Sequence, residues 1–148
     1  MRANLTLAYP GDLDLKTGGY GYDREIVKGL RKLGWNVELL ALGEGFPSPS
    51  AEALHEAEAR LSALEDGALV LIDGLAFGVM DEWAQREAGR LKIIALVHHP
   101  LALETGLSEA QQAPLRRSET AALAATQHVI VTSPMTAREL AKNFVVAA

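Results

Sequence analysis

Five short apolar runs, each followed by a stretch with helical spacing, restrict this chain more than any other feature of its sequence. They are Leu5-Thr6-Leu7-Ala8-Tyr9, the runs over 37–42, 68–72 and 91–97, and Val129-Ile130-Val131-Thr132. Apolar runs this short suit strands buried on both faces of a sheet, since an amphipathic surface strand would alternate. Strands that alternate with helices imply parallel pairing and right-handed crossovers. The predicted fold is therefore α/β: a doubly wound, mostly parallel sheet in a Rossmann-like three-layer sandwich. With no linker and no internal repeat, residues 1–148 read as one domain.

The helical stretches carry their own punctuation. Ile26, Val27, Leu30 and Leu33 fall on one face of a helix predicted over 23–33, which Gly34 ends. Ser50 is set to cap a helix from 51 to about 64. A short helix is expected over 80–89 and the longest over 107–125. Ser133 then caps a helix whose first residue is Pro134, and 141–148 begins a further strand. The loops over 43–50 and 101–107 carry no readable specificity code.

Composition removes several function classes. Net charge is −5 and no Lys/Arg-rich run exists, which argues against nucleic acid and anionic lipid as partners. The chain has no cysteine, so disulfides, thiolate metal sites and a cysteine nucleophile are excluded. No apolar run approaches the roughly 20 residues of a membrane helix. The chain begins with a strand and shows no secretion segment, so a cytoplasmic protein is expected.

In doubly wound sheets ligands collect at the carboxyl ends of the strands, and the polar residues of this chain gather there. Between the first strand and its helix lies Thr17-Gly18-Gly19-Tyr20-Gly21-Tyr22. Glycines at a strand-to-helix junction let backbone N–H groups approach an anion at the helix N-terminus, so this is a candidate phosphate or diphosphate site. The dinucleotide pattern fails, because Arg24 stands where its third glycine belongs. A P-loop is absent, and no nicotinamide, flavin or other cofactor is expected.

His98-His99 ends the fourth strand before Pro100. In extended chain, neighbours point to opposite sides, so one of the two enters the cleft. Adjacent histidines do not suit a metal pair, and no metal is expected. A neutral imidazole on a sugar hydroxyl or a leaving phosphate fits better. Asp73 ends the third strand beside Gly74, as a turn former or a cleft carboxylate. Asp12-Leu13-Asp14 matches a short metal-binding pattern of sugar transferases, but Asp is favoured in turns anyway. Glu119, beside Arg116-Arg117, reads first as part of a solvated helical face, and Ser133 chiefly as a helix cap. No Gly-x-Ser-x-Gly elbow is present.

Taken in order, these segments resemble family 4 glycosyltransferases of the GT-B fold. The glycine stretch runs into Leu30-Arg31-Lys32-Leu33-Gly34-Trp35-Asn36-Val37, similar to the family's "Leu-x-x-x-Gly-His-x-Val" turn, with Trp35 in place of the histidine. Val97-His98-His99-Pro100-Leu101 resembles the strand-end histidine segment. Glu119 through Ala125-Thr126-Gln127-His128-Val129-Ile130 to Ser133 resembles "Glu … Ala-Asp-x-Val-Ile-x-x-Ser", with Gln127 in place of Asp. The resemblance implies the N-terminal, acceptor-side half of a GT-B enzyme. Such an enzyme retains anomeric configuration and needs no metal for chemistry. Its nucleotide-sugar donor is held mainly by a second domain with a Glu-x-x-x-x-x-x-x-Glu pattern, expected outside these residues. The acceptor would be a sugar, lipid-linked or other small molecule with a free hydroxyl. By the same resemblance Gly18 and Gly19 would approach the donor diphosphate, and His98 would lie near the transferred sugar. Asp73, His99, Glu119 and Ser133 would border the acceptor cleft. The residues alone also allow a stand-alone Rossmann- or flavodoxin-like module that binds a phosphate-bearing small molecule, or a non-catalytic scaffold.

Overall fold

The computed structural model describes residues 4–11, 18–46, 49–98, 108–131 and 138, with the side chains of 18–22 left out. The elements run β1 (Asn4–Tyr9), α1 (Gly18–Lys32), β2 (Asn36–Ala41), α2 (Ala51–Ser62), β3 (Leu69–Asp73), α3 (Gly74–Phe77), α4 (Asp81–Glu87), β4 (Lys92–Val97), α5 (Glu109–Ala124) and β5 (His128–Val131). The five strands form one sheet in the order β2-β1-β3-β4-β5, and every pair is parallel. The expected doubly wound, Rossmann-like sandwich is the observed fold. The predicted helix after Ser133 and the strand over 141–148 lie outside the described residues, apart from Arg138.

Strand alternation sends successive side chains into two different cores. Ala8, Val70, Ile72, Ile93, Ala95 and Val97 pack with α2, α3, α4 and α5 around the fully buried Trp83 and Phe77. Leu5, Leu7, Val37, Leu71 and Leu96 face the other way, onto Val27, Ile26 and Leu30 of α1. Helix α1 is the cover of this second face among the described residues. At roughly 25 cal/mol per Å² of apolar surface, each large buried side chain in either core contributes a few kcal/mol at most. The sum over many such residues outweighs the ordering entropy.

The ends of α1 differ from the sequence reading in a way that matters for the site. The helix begins at Gly18 rather than near Asp23, so the glycines form its first turn. It closes at Lys32 in a Schellman arrangement: Trp35 N donates to Leu30 O (3.0 Å) and Gly34 N to Arg31 O (3.1 Å), with Gly34 at φ +94°. Leu33 therefore lies past the last helical residue and is 79% exposed, not part of the buried stripe. The inward-facing stripe starts a turn earlier, at Asp23, and continues through Ile26, Val27 and Leu30.

Two helix starts follow local rules. Ser50 Oγ accepts from Ala53 N (3.1 Å), as its capping role predicts. Ser108 and Gln111 form a reciprocal capping box ahead of α5. Helix α3 was not expected from the sequence. It begins directly at Gly74, where a Cβ would stand 3.0 Å from Leu96 O and 3.4 Å from Val97 Cα. Both neighbours are backbone, so only glycine lets β3 turn into a helix this close to β4.

Candidate functional site

The winding reverses between β1 and β3: the chain steps outward from β1 to β2, then returns to place β3 against β1. Ligand crevices in such sheets open at this reversal, beyond the carboxyl ends of the strands. Asp73 is the last residue of β3 and His98 follows the last residue of β4. Both share the alternation phase of Leu71 and Leu96, which fixes them on the α1 side of the sheet. Asp23 is one turn before Val27 on the buried stripe of α1, so it projects toward the same spot.

The three side chains meet. His98 Nε2 lies 3.0 Å from Asp23 Oδ1 and 3.4 Å from Asp73 Oδ2. Asp23 is fully buried, Asp73 nearly so, and the His98 side chain is 23% exposed. Of the two roles that the sequence offered for Asp73, the turn-forming one is observed. Asp73 Oδ1 accepts from Leu75 N (2.9 Å) and caps α3, while Oδ2 faces the histidine. Asp23 Oδ2 is buried and has no hydrogen-bond partner among the described residues.

Electrostatics follows from this unequal support. Burial pushes the Asp23 carboxyl up to about 7; the neighbouring Asp73 pushes the same way, and His98 only partly opposes them. Burial also acts to raise Asp73, but His98, Asp23 and the Leu75 N–H outweigh it and hold Asp73 below the usual carboxylate range. Burial disfavours a charged His98, yet the two carboxylates overcome this and raise the imidazole to about 9. The raised imidazole and lowered Asp73 favour an imidazolium–carboxylate pair, with Asp23 the more readily protonated of the two aspartates. The neutral imidazole expected from sequence is therefore replaced by a cation. Two carboxylates in one buried place cannot both ionise without positive charge between them.

Other sequence candidates separate from this centre. Glu119 is 1% exposed, which corrects the solvated-face reading. It shares the stripe of Leu115, Ala122 and Leu123, which pack on the opposite sheet face from Asp73 and His98. It is not among the converging donors Asp23, Asp73 and His98. Next to it, Ser118 Oγ donates to Gly78 O (2.7 Å) and ties α5 to the turn after α3. Gly18 and Gly19 head α1, the helix that carries Asp23. His99, Ser133 and Asp12-Leu13-Asp14 lie outside the described residues. Asp23 was the residue that sequence reasoning missed. Its signal was present: a carboxylate three and four residues before Ile26 and Val27 stands where an apolar side chain belongs.

Among the described residues no helix is long and apolar enough to cross a membrane. No protein-family model matches the chain, and no curated protein matches it.

Proposed function

We propose that this chain is the acceptor-side half of a retaining, nucleotide-sugar-dependent glycosyltransferase with a GT-B architecture. The observation that carries the reading is the meeting of α1 and His98 at the winding reversal. The amides of the first helical turn lack intrahelical acceptors, and glycines at 18 and 19 add no side chain that would keep an anion from them. A helix of 15 residues also brings partial positive charge to that end. His98, held as an imidazolium by Asp23 and Asp73, adds a second positive group nearby.

The chemistry asked of these groups is electrostatic. As the glycosidic bond to the donor phosphate lengthens, negative charge grows on the departing diphosphate oxygens. Amides and an imidazolium already in place stabilise that charge without reorganising. Asp23 and Asp73 act through His98: they fix its orientation and its charge. Acceptor hydroxyls would approach from the exposed ring edge. Donor contacts beyond the diphosphate would come from the second domain.

The test is the reading frame beyond Ala148, followed by assay of its full product. A second strand–helix domain with paired glutamates, and sugar transfer with retained configuration, are expected. His98→Ala should lower transfer by about 10²-fold or more, as loss of a preorganised charge partner does. Gly19→Trp should be comparably damaging. Rapid transfer by the 148 residues alone, or full transfer by the Gly19 variant, would contradict the proposal. Tight stoichiometric nucleotide binding by the isolated chain, with no transfer by the full product, would favour the stand-alone phosphate-binding module instead.

A further inference from the structure

The geometry points to a divalent transition-metal site at the junction of α1, β3 and β4, with Asp23, Asp73 and His98 as its protein ligands. This inference does not depend on glycosyl transfer, and the family that the sequence resembles works without a metal. It concerns what three side chains of this chain can hold.

The donor set comes first. One carboxylate oxygen from each aspartate and an imidazole nitrogen lie within 4.8 Å of one another. Zinc binds nitrogen and oxygen donors at about 2.0–2.2 Å. Ligands on one ion at such distances are separated by about 3.0 Å in octahedral and about 3.4 Å in tetrahedral geometry. The His98 Nε2 distances to the two carboxylates are 3.0 and 3.4 Å. An ion therefore requires only small adjustments of atoms already converged.

The support around the donors comes second. Asp73 Oδ1 is fixed by Leu75 N–H, which leaves Oδ2 turned toward the site. A hydrogen bond to the far side of a ligand is the usual way its orientation is set around a metal. Its base is rigid as well, since Gly74 packs directly on the backbone of β4.

The independent observation is Asp23 Oδ2, a buried carboxylate oxygen without a partner among the described residues. Leaving such an atom unsatisfied carries a desolvation cost that native structures seldom leave uncompensated. A cation bound by the Asp23 carboxylate would offset that cost. The imidazole donor disfavours Mg²⁺ and Ca²⁺, which prefer oxygen throughout, and favours Zn²⁺, while the two carboxylates also suit Mn²⁺. Partial exposure of His98 gives an ion a route in and leaves positions for water or a ligand oxygen.

The experiment uses the whole chain after chelator treatment, titrated calorimetrically with ZnCl₂ and, separately, with MnCl₂. One saturable equivalent and a rise in Tm are expected. Asp23→Asn and His98→Gln should each weaken binding at least tenfold while circular dichroism stays unchanged. On the unaltered chain, Mn²⁺ should broaden the His98 ring resonances before those of the exposed His55 and His128. That readout needs no variant to fold. Absence of saturable binding up to about 1 mM metal, or broadening of His55 or His128 first, would overturn the site. Coordination takes the Nε2 proton from His98, so a bound ion and the imidazolium of the proposed function are alternatives. Absence of metal binding leaves the transfer reading standing, and absence of transfer leaves the metal site standing.

Discussion

Two ionic clusters stand at opposite ends of this sheet, and they use charge differently. At the amino end, Arg90 donates to Leu64 O (2.6 Å) and Ser62 O (3.1 Å) and pairs with Glu87 (2.7 Å) and Asp66 (3.0 Å). It closes the C-terminus of α2 and ties it to α4. Its partner Asp66 is 87% exposed, so water screens that pair and takes over when it breaks. At the carboxyl end, Asp23, Asp73 and His98 converge where water is largely excluded. There each charge depends on the others, because a buried charge left alone is far more costly than an exposed one. The first cluster fastens loops. The second gathers buried titratable groups at the carboxyl ends of β3 and β4.

The largest expected effect comes from breaking the buried cluster. His98→Ala leaves two buried carboxylates without their cation and should cost on the order of 3–5 kcal/mol at pH 8 by urea unfolding. If charge is the cause, adding Asp23→Asn to His98→Ala should recover part of the loss; no recovery would indicate packing. Next comes Gly74→Ala, which forces β3 and β4 apart and should cost about 1–3 kcal/mol. In that variant the His98 imidazole should also titrate nearer to an ordinary histidine, because Asp73 moves away from it. Asp66→Ala, by contrast, should leave the urea midpoint within the scatter of the measurement. A large change there would erase the distinction between the clusters.

Stability against pH sharpens the comparison further. Asp23 has a folded pKa raised from 3.8 to about 7, so its stabilising contribution is complete below pH 3.8 and is lost as pH rises through 7. His98 is raised from 6.5 to about 9, so its contribution is complete below 6.5 and is lost through 9. Asp73, held low, acts oppositely, and its contribution disappears only as the pH falls below 3.8. Stability should therefore decline from about pH 4 to pH 9. Asp23→Asn should flatten the part of that decline below pH 7, and Asp66→Ala should flatten none of it.

The fold was legible because its signals are local. Continuous apolar runs, the Gly34 stop and the Ser50 cap each operate within a few residues, and all were observed. Asp73 and His98 were legible for a related reason: strand ends in a doubly wound sheet lead to one edge. Asp23 was not, because a carboxylate early in a helix reads as solvated until packing shows which face is buried. The displaced stripe of α1 has the same origin. Leu33 continues the helical period in sequence, but the Schellman turn ends the helix before it can face inward. Glu119 was misread for the converse reason, since the neighbouring arginines suggested an exposed face while Leu115 and Leu123 fix a buried one.

The most direct measurement follows the His98 ring resonances against pH by NMR in chelator-treated protein, with Asp23→Asn beside it. A midpoint near 9 in the native chain, lowered clearly in the variant, is the predicted result. A midpoint near 6.5 in both would mean that His98 senses neither carboxylate, and the three residues would not form one functional unit.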